Sequence, residues 1–205
     1  MEYLPPALAA VLGIAVGWWQ VRRLDTLSYR LAGEDGPAPS RRWVCVATAG
    51  AAFTIACAAP WQFWPAYAPL VFAGGWLAGV DRDVRRLPNK VMGPVALCTA
   101  VGIACSAALL GDWIRPLWAL GAAALVFAIF AVGVARGGIG GGDAKLVAIF
   151  AAALGLRSPM LGMAAVMIGG VFMLVWALLI YKQRPFPYGP GLLLGAWVAA
   201  LIPVS

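Results

Sequence analysis

The sequence contains no histidine. That absence removes the Ser-His-Asp triad, the Cys-His pair and any His-ligated zinc site. Charge is scarce too. Lys and Arg number 15 and Asp and Glu 8 in 205 residues, or 11% charged, against about 25% in a soluble domain. With 63% of residues apolar and a mean hydropathy of +0.88, there is too little polar surface to coat a water-soluble globule. The same sparse charge excludes intrinsic disorder and nucleic-acid binding despite the net charge of +7. The four cysteines, Cys45, Cys57, Cys98 and Cys105, form no C-x-x-C pair, which leaves zinc and thioredoxin-like sites without ligand spacing. They read as small apolar core residues. No metal and no cofactor is expected, and the acids become the main candidates for chemistry.

What the chain has in quantity is long apolar runs. The class they point to is an all-α, polytopic integral membrane protein. A spanning helix needs roughly 17–25 mostly apolar residues. The expected spans are 4–21, 43–59, 63–80, 91–111, 116–135, a short one at 144–156, 160–180 and 190–203, about eight in all. With the N-terminus outside, the inner segments 22–42, 81–90, 136–145 and 181–189 hold thirteen of the fifteen basic residues, Lys182 and Arg184 among them. Only Arg115 and Arg157 fall outside. This is a positive-inside pattern, so the basic excess is mainly a signal of topology in the lipid bilayer. The first run carries Glu2 in place of a basic n-region and is followed by more spans, so it is expected to be retained. Trp18, Trp19, Trp43, Trp61, Trp64, Trp113 and Trp118 cluster near span ends, as interfacial anchors do. Segment 22–42, with its Gly-Pro-Ala-Pro-Ser stretch, reads as a flexible connection. The expected division is an N-terminal transmembrane pair over 1–62 and a transmembrane domain over 63–205.

Sorting the eight acids by place narrows the site. Glu2 is terminal, Asp25, Glu34 and Asp35 lie in the polar segment, and Asp112 lies in an outer turn. Asp81 and Asp83 directly follow the third span, and Asp143 precedes the sixth. Acids at the edge of the hydrocarbon are costly and are candidates for function. Those three share one membrane side, so they can meet. Glycines 137, 138, 140, 141 and 142 precede Asp143, which places it at or near the start of a helix where the dipole favours an anion. A plain helix cap after a flexible turn is one reading; phosphate binding fails on spacing. Asp81 can be a charged stop facing Arg85 at i,i+4, with Pro88 and Asn89 turning the chain into the fourth span. The other reading pairs Asp81 with Asp143. Two carboxylates sharing a site hold one proton between them, which allows general acid–base hydrolysis without metal, histidine or a covalent intermediate.

At these residues the sequence resembles the type IV prepilin peptidase family of G-x-G-D intramembrane aspartic proteases. Gly140-Gly141-Gly142-Asp143, followed by Ala-Lys-Leu, fits G-x-G-D. Asp81-Arg-Asp-Val-Arg-Arg-Leu-Pro-Asn89 is similar to the family's D-x-D-x-x-x-L-P-[DN] segment, and Pro187-Tyr-Gly-Pro190 to its P-[FY]-G-P segment. The resemblance covers roughly 63–200. It implies Asp81 and Asp143 as the catalytic pair, with Asp83, Gly140, Gly142, Lys145, Pro88 and Asn89 as supporting positions. It also implies a prepilin or pseudopilin substrate, whose short basic leader is cut at the cytoplasmic face of the plasma membrane, just before a hydrophobic helix. The mature subunits would serve a type IV pilus or a related secretion system. Many bacterial members carry two C-x-x-C pairs in the first inner loop, linked to zinc and N-methylation. Segment 22–42 has no cysteine, so the implied form is a short, peptidase-only one. Two other functions remain open at this point. A glycine-rich break beside an acid also suits an ion-coupled transporter, and an inert assembly protein of the same fold would keep the same spans.

Overall fold

A computed structural model describes residues 6–34, 36–181 and 187–204. The readings placed on Glu2, Asp35, Lys182, Arg184 and the start of the first span lie outside the described residues. Among those residues the chain is all-helical: α1 Pro6–Asp25, α2 Arg42–Ala58, a short 3₁₀ turn Trp61–Phe63, α3 Trp64–Val84, α4 Asn89–Leu110, α5 Arg115–Ala135, α6 Gly141–Gly155, α7 Pro159–Trp176, continued by a π-helical turn Ala177–Tyr181, and α8 Gly189–Ala200. Proline opens α3, α5, α7 and α8 within the first two positions, where its missing N–H costs nothing. Gly111, at φ 65°, closes α4 in the left-handed conformation that only glycine adopts without strain.

Three segments are long and apolar enough to cross a membrane: Asn89–Leu110, Arg115–Ala135 and Pro159–Leu179. The protein is a membrane protein on that ground. The other expected spans also coincide with helices, for which length or charge differs. α6 has 15 residues and α8 has 12, or roughly 22 and 18 Å at 1.5 Å per residue, short of a hydrocarbon core of about 30 Å. α1 and α3 carry charge in their last turns, Arg22 and Arg23 in one and Arg82 in the other.

The core explains how a short helix survives. Ten of the fifteen residues of α6 are buried, with Leu146, Val147, Phe150, Ala151 and Ala153 fully so. Protein surrounds α6, against α4, α5, α7 and α8, so it need not span lipid by itself. α5 and α7 instead turn apolar side chains outward, Leu120, Leu125 and Ile129 on one and Met167, Val171 and Leu174 on the other.

Two sequence expectations change. Cys57, Cys98 and Cys105 are exposed and Cys45 is partly covered; they are not core residues, because a thiol is apolar enough to face hydrocarbon as readily as protein. Segment 22–42 is not a free connection. Its first residues, through Asp25, extend α1, Arg42 opens α2, and Arg30, Glu34 and Arg41 between them are held by ion pairs described below. The expected end-of-span tryptophans include Trp18, Trp19, Trp61, Trp113 and Trp118 on the outer surface. The Arg22 guanidinium lies 3.7 Å from the centre of the Trp18 ring.

Candidate active site

Asp81 opens the last turn of α3 and is 3% exposed. The helix ends three residues later, and Arg85 takes a left-handed backbone (φ 52°) while its N–H donates to the Asp81 carbonyl over 2.8 Å. The Arg85 charge still acts on Asp81, but at a distance longer than an ion pair. The expected i,i+4 pair is therefore not formed: among the described residues no ion pair joins them. The partner of the Asp81 carboxylate is instead the N–H of Gly189, the first residue of α8, which donates to Oδ2 over 2.7 Å. This contact bridges 108 residues of sequence. The free N–H groups at the start of a helix are natural donors to an anion.

Asp143 is the third residue of α6 and is 7% exposed. Gly140 holds the N-cap, in extended backbone. The Asp143 side chain folds back over it, so that a Cβ on Gly140 would lie 2.8 Å from Asp143 Oδ2. Oδ1 accepts no hydrogen bond from any described residue. Asp143 and Asp81 stand close enough for the charge of one to act on the other. The two buried carboxyl groups thus come from separate helices to one end of the bundle. Asp112, in the turn after α4, lies at the other end with Arg115.

The supporting positions hold this end together. Pro88 is the N-cap of α4, and its carbonyl accepts from Val91 and Met92. Lys145 Nζ donates to Asn89 Oδ1 over 2.7 Å, tying α6 to the α3–α4 turn. Gly142 lies against Leu87 in the same turn, where a Cβ would stand 2.8 Å from the Leu87 Cβ. Only glycine allows this approach.

Asp83 is not part of the carboxyl pair. It anchors the segment after α1. Arg30 grips it with two parallel bonds, Nε to Oδ2 at 2.9 Å and Nη2 to Oδ1 at 2.6 Å, a fork geometry that lysine cannot supply. The Tyr29 hydroxyl donates to Oδ2 at 2.5 Å. Burial, and then this bond to Asp83, push the Tyr29 phenol up to about 12, so it stays a donor at any ordinary pH. One residue-pair further on, Arg86 binds Glu34 through two nitrogens and the Tyr29 carbonyl through Nη2. Residues 26–34 and 36–41 are thus a strap across the end of α3. Tyr29, Arg30, Glu34 and Arg86 were not singled out from the sequence. Opposite charges on one membrane side were the available signal, but nothing in a linear reading pairs residues more than fifty positions apart.

Among the described residues, no three Cys, Asp or Glu side chains come together as a metal site. The arrangement suits proton transfer: two buried carboxyls, one with a fixed N–H donor and one with an oxygen that has no partner among the described residues. No curated protein and no solved structure matched this chain. A family model did, over residues 68–178, which include both Asp81 and Asp143 and more than half of the sequence; its description is the type IV leader peptidase family. The chain belongs to the type IV leader peptidase family.

Proposed function

We propose that the chain is a multi-pass aspartic endopeptidase of the plasma membrane, N-terminus outside, that removes the basic leader of prepilin or pseudopilin proteins at the cytoplasmic face. The observation that supports this most directly is that Asp81 and Asp143, two buried carboxyls from α3 and α6, lie near enough at one end of the bundle for the charge of one to act on the other. Family membership supports the peptidase class.

The chemistry follows from the surroundings of each carboxyl. Asp81 receives the Gly189 N–H, and a hydrogen bond of that kind favours a carboxylate anion. Asp81 is therefore the base and Asp143, with its unpartnered Oδ1, the acid. Asp81 takes one proton from a water molecule as the water oxygen bonds to the scissile carbonyl carbon. The carbonyl electron pair moves to oxygen, which takes the Asp143 proton. The tetrahedral diol then collapses. The C–N bond breaks, the leaving nitrogen receives the proton held by Asp81, and Asp143 recovers a proton from a diol hydroxyl. Water and one peptide bond become a carboxylic acid and an amine, and both aspartates return to their starting states.

The test is co-expression with a prepilin, scored by the gel shift of leader removal. Asp81→Asn and Asp143→Asn each abolish the shift while the protein still inserts in the membrane. Acid–base groups of this kind are worth about 10²–10⁴-fold each, enough to erase processing on a gel. Normal processing by Asp143→Asn would sink the proposal.

A further inference from the structure

A cleft of about 290 Å³ opens between α2, α3 and α8. Its position relative to the aspartates is the informative feature. Ala78, at one end of the lining, is one turn before Asp81 on α3, and Pro190 directly follows Gly189, the residue that donates to Asp81. From there the cleft follows α3 back to Tyr67, eleven residues and so about 16 Å of helix. Its walls are small where helices would need to come close, at Ala47, Ala51, Gly74 and Ala78. Among its polar side chains Thr48, Trp197 and Trp43 spend their hydrogen bonds inside the protein, on Gln20, Thr54 and Ser40, and the buried Tyr67 hydroxyl, at the far end, makes no hydrogen bond to a described residue.

We propose that this cleft seats the apolar helix of the substrate that follows the cut bond; this rests on the peptidase reading above. An extended peptide is poorly matched to it, because most of its N–H and C=O groups would face apolar walls, with the Tyr67 hydroxyl at the far end as a lone polar group left to bond among those named. A helix satisfies its own backbone, and the Ala and Gly positions between larger side chains such as Leu70, Leu194 and Trp197 let its backbone approach closely there. A helix so seated ends beside Asp81, which places the first peptide bond beyond it against the two carboxyls. The cleft thereby selects a substrate with an apolar helix on one side of the bond and sets how far from the helix the cut falls.

The test is cysteine cross-linking to uncut substrate. Cys45, Cys57, Cys98 and Cys105 are replaced by Ala, and Asp143→Asn holds the substrate uncut. Ala51→Cys and Leu194→Cys probe the cleft, and Leu120→Cys on the outer face of α5 is the control. A prepilin carries single cysteines along about three turns of its helix. Cleft positions are expected to cross-link at least fivefold better than Leu120→Cys, with maxima every three to four substrate positions. In an Asp143-intact chain, Gly74→Leu is expected to raise the KM for the prepilin at least tenfold at unchanged melting temperature. Equal cross-linking at Leu120→Cys, yields without periodicity, or an unchanged KM in Gly74→Leu each overturn the seat and leave lipid as the occupant. If the unaltered chain cuts the prepilin while those results hold, only the seat is lost. If the unaltered chain leaves the prepilin uncut, the peptidase reading falls and the seat with it.

Discussion

Gly142 and Gly141 differ in sequence by one position and in surroundings completely. A methyl group at Gly142 meets the Leu87 Cβ at 2.8 Å and the Leu87 carbonyl at 3.1 Å, whereas one at Gly141 meets nothing within 4 Å. Backbone cannot yield as a flexible side chain can, so Gly142→Ala must push α6 away from the α3–α4 turn and move Asp143 relative to Asp81. Catalysis tolerates little misplacement; about 1 Å can cost roughly 10²-fold. Gly142→Ala is therefore expected to lower kcat by at least about tenfold, and Gly141→Ala to leave it unchanged, in a cleavage assay with detergent-solubilised enzyme. Equal losses in the two would remove the steric argument. Asp83 makes a second prediction at this scale. Its carboxylate contacts Arg30, Tyr29 and Arg41 and belongs to the strap, so Asp83→Asn should reduce cleavage partially, by less than Asp81→Asn, and should expose residues 26–41 to protease. Complete loss of cleavage with the strap still protected would move Asp83 into the reacting pair. The acids at 81, 83 and 143 were legible in the sequence as a set on one membrane side. The resemblance already set Asp81 and Asp143 apart from a supporting Asp83; what each carboxylate bonds to was not legible, because it depends on partners at positions 29, 30 and 189.

At the scale of the element, the strap joins the polar segment after α1 to the end of the helix that carries Asp81. Its second clasp is the Glu34–Arg86 pair. Hydrogen bonds from Arg86 and then from the Leu31 N–H hold the Glu34 carboxyl below its ordinary value of 4.5. The sign follows directly. The folded form prefers the charged carboxylate, so this clasp contributes fully above the ordinary value and is lost as pH falls through the lower, folded one. Limited proteolysis of the segment should therefore be slow at pH 7 and should rise once the pH is taken well below 4.5. Glu34→Gln should show the fast, acid-like rate already at pH 7. A rate that is the same in both proteins at pH 7 would mean that Arg30 and Asp83 alone hold the strap. Salt should accelerate release modestly, since Glu34 and Arg86 are each about a third exposed and such pairs are screened.

For the molecule as a whole, stability centres on α6. Phe150 is fully buried and Leu125 on α5 is 52% exposed. In lipid the gain from packing comes from dispersion contacts and not from escape from water, so the two positions should separate cleanly. Phe150→Ala leaves a cavity of the kind that costs about 3–5 kcal/mol in packed cores and should lower the melting temperature in detergent by several degrees. Leu125→Ala, which trades one lipid contact for another, should leave it unchanged. A fall of equal size in both would contradict α6 as the centre of packing.

The sequence by itself determined the class of molecule, the places of the helices, and the three acids gathered on one side. Each of these rests on a contrast that composition records: apolar run against charged segment, basic side against neutral side, glycine break against helix. Tertiary structure alone decided which faces meet. Core and lipid are both apolar, so hydropathy has no contrast with which to separate Phe150 from Leu125, or a buried thiol from the exposed Cys57, Cys98 and Cys105. It also decided the long-range polar pairings, Gly189 to Asp81 across 108 residues and Arg30 to Asp83 across 53. A hydrogen bond is fixed by position in space, and only the packed bundle brings those groups within reach.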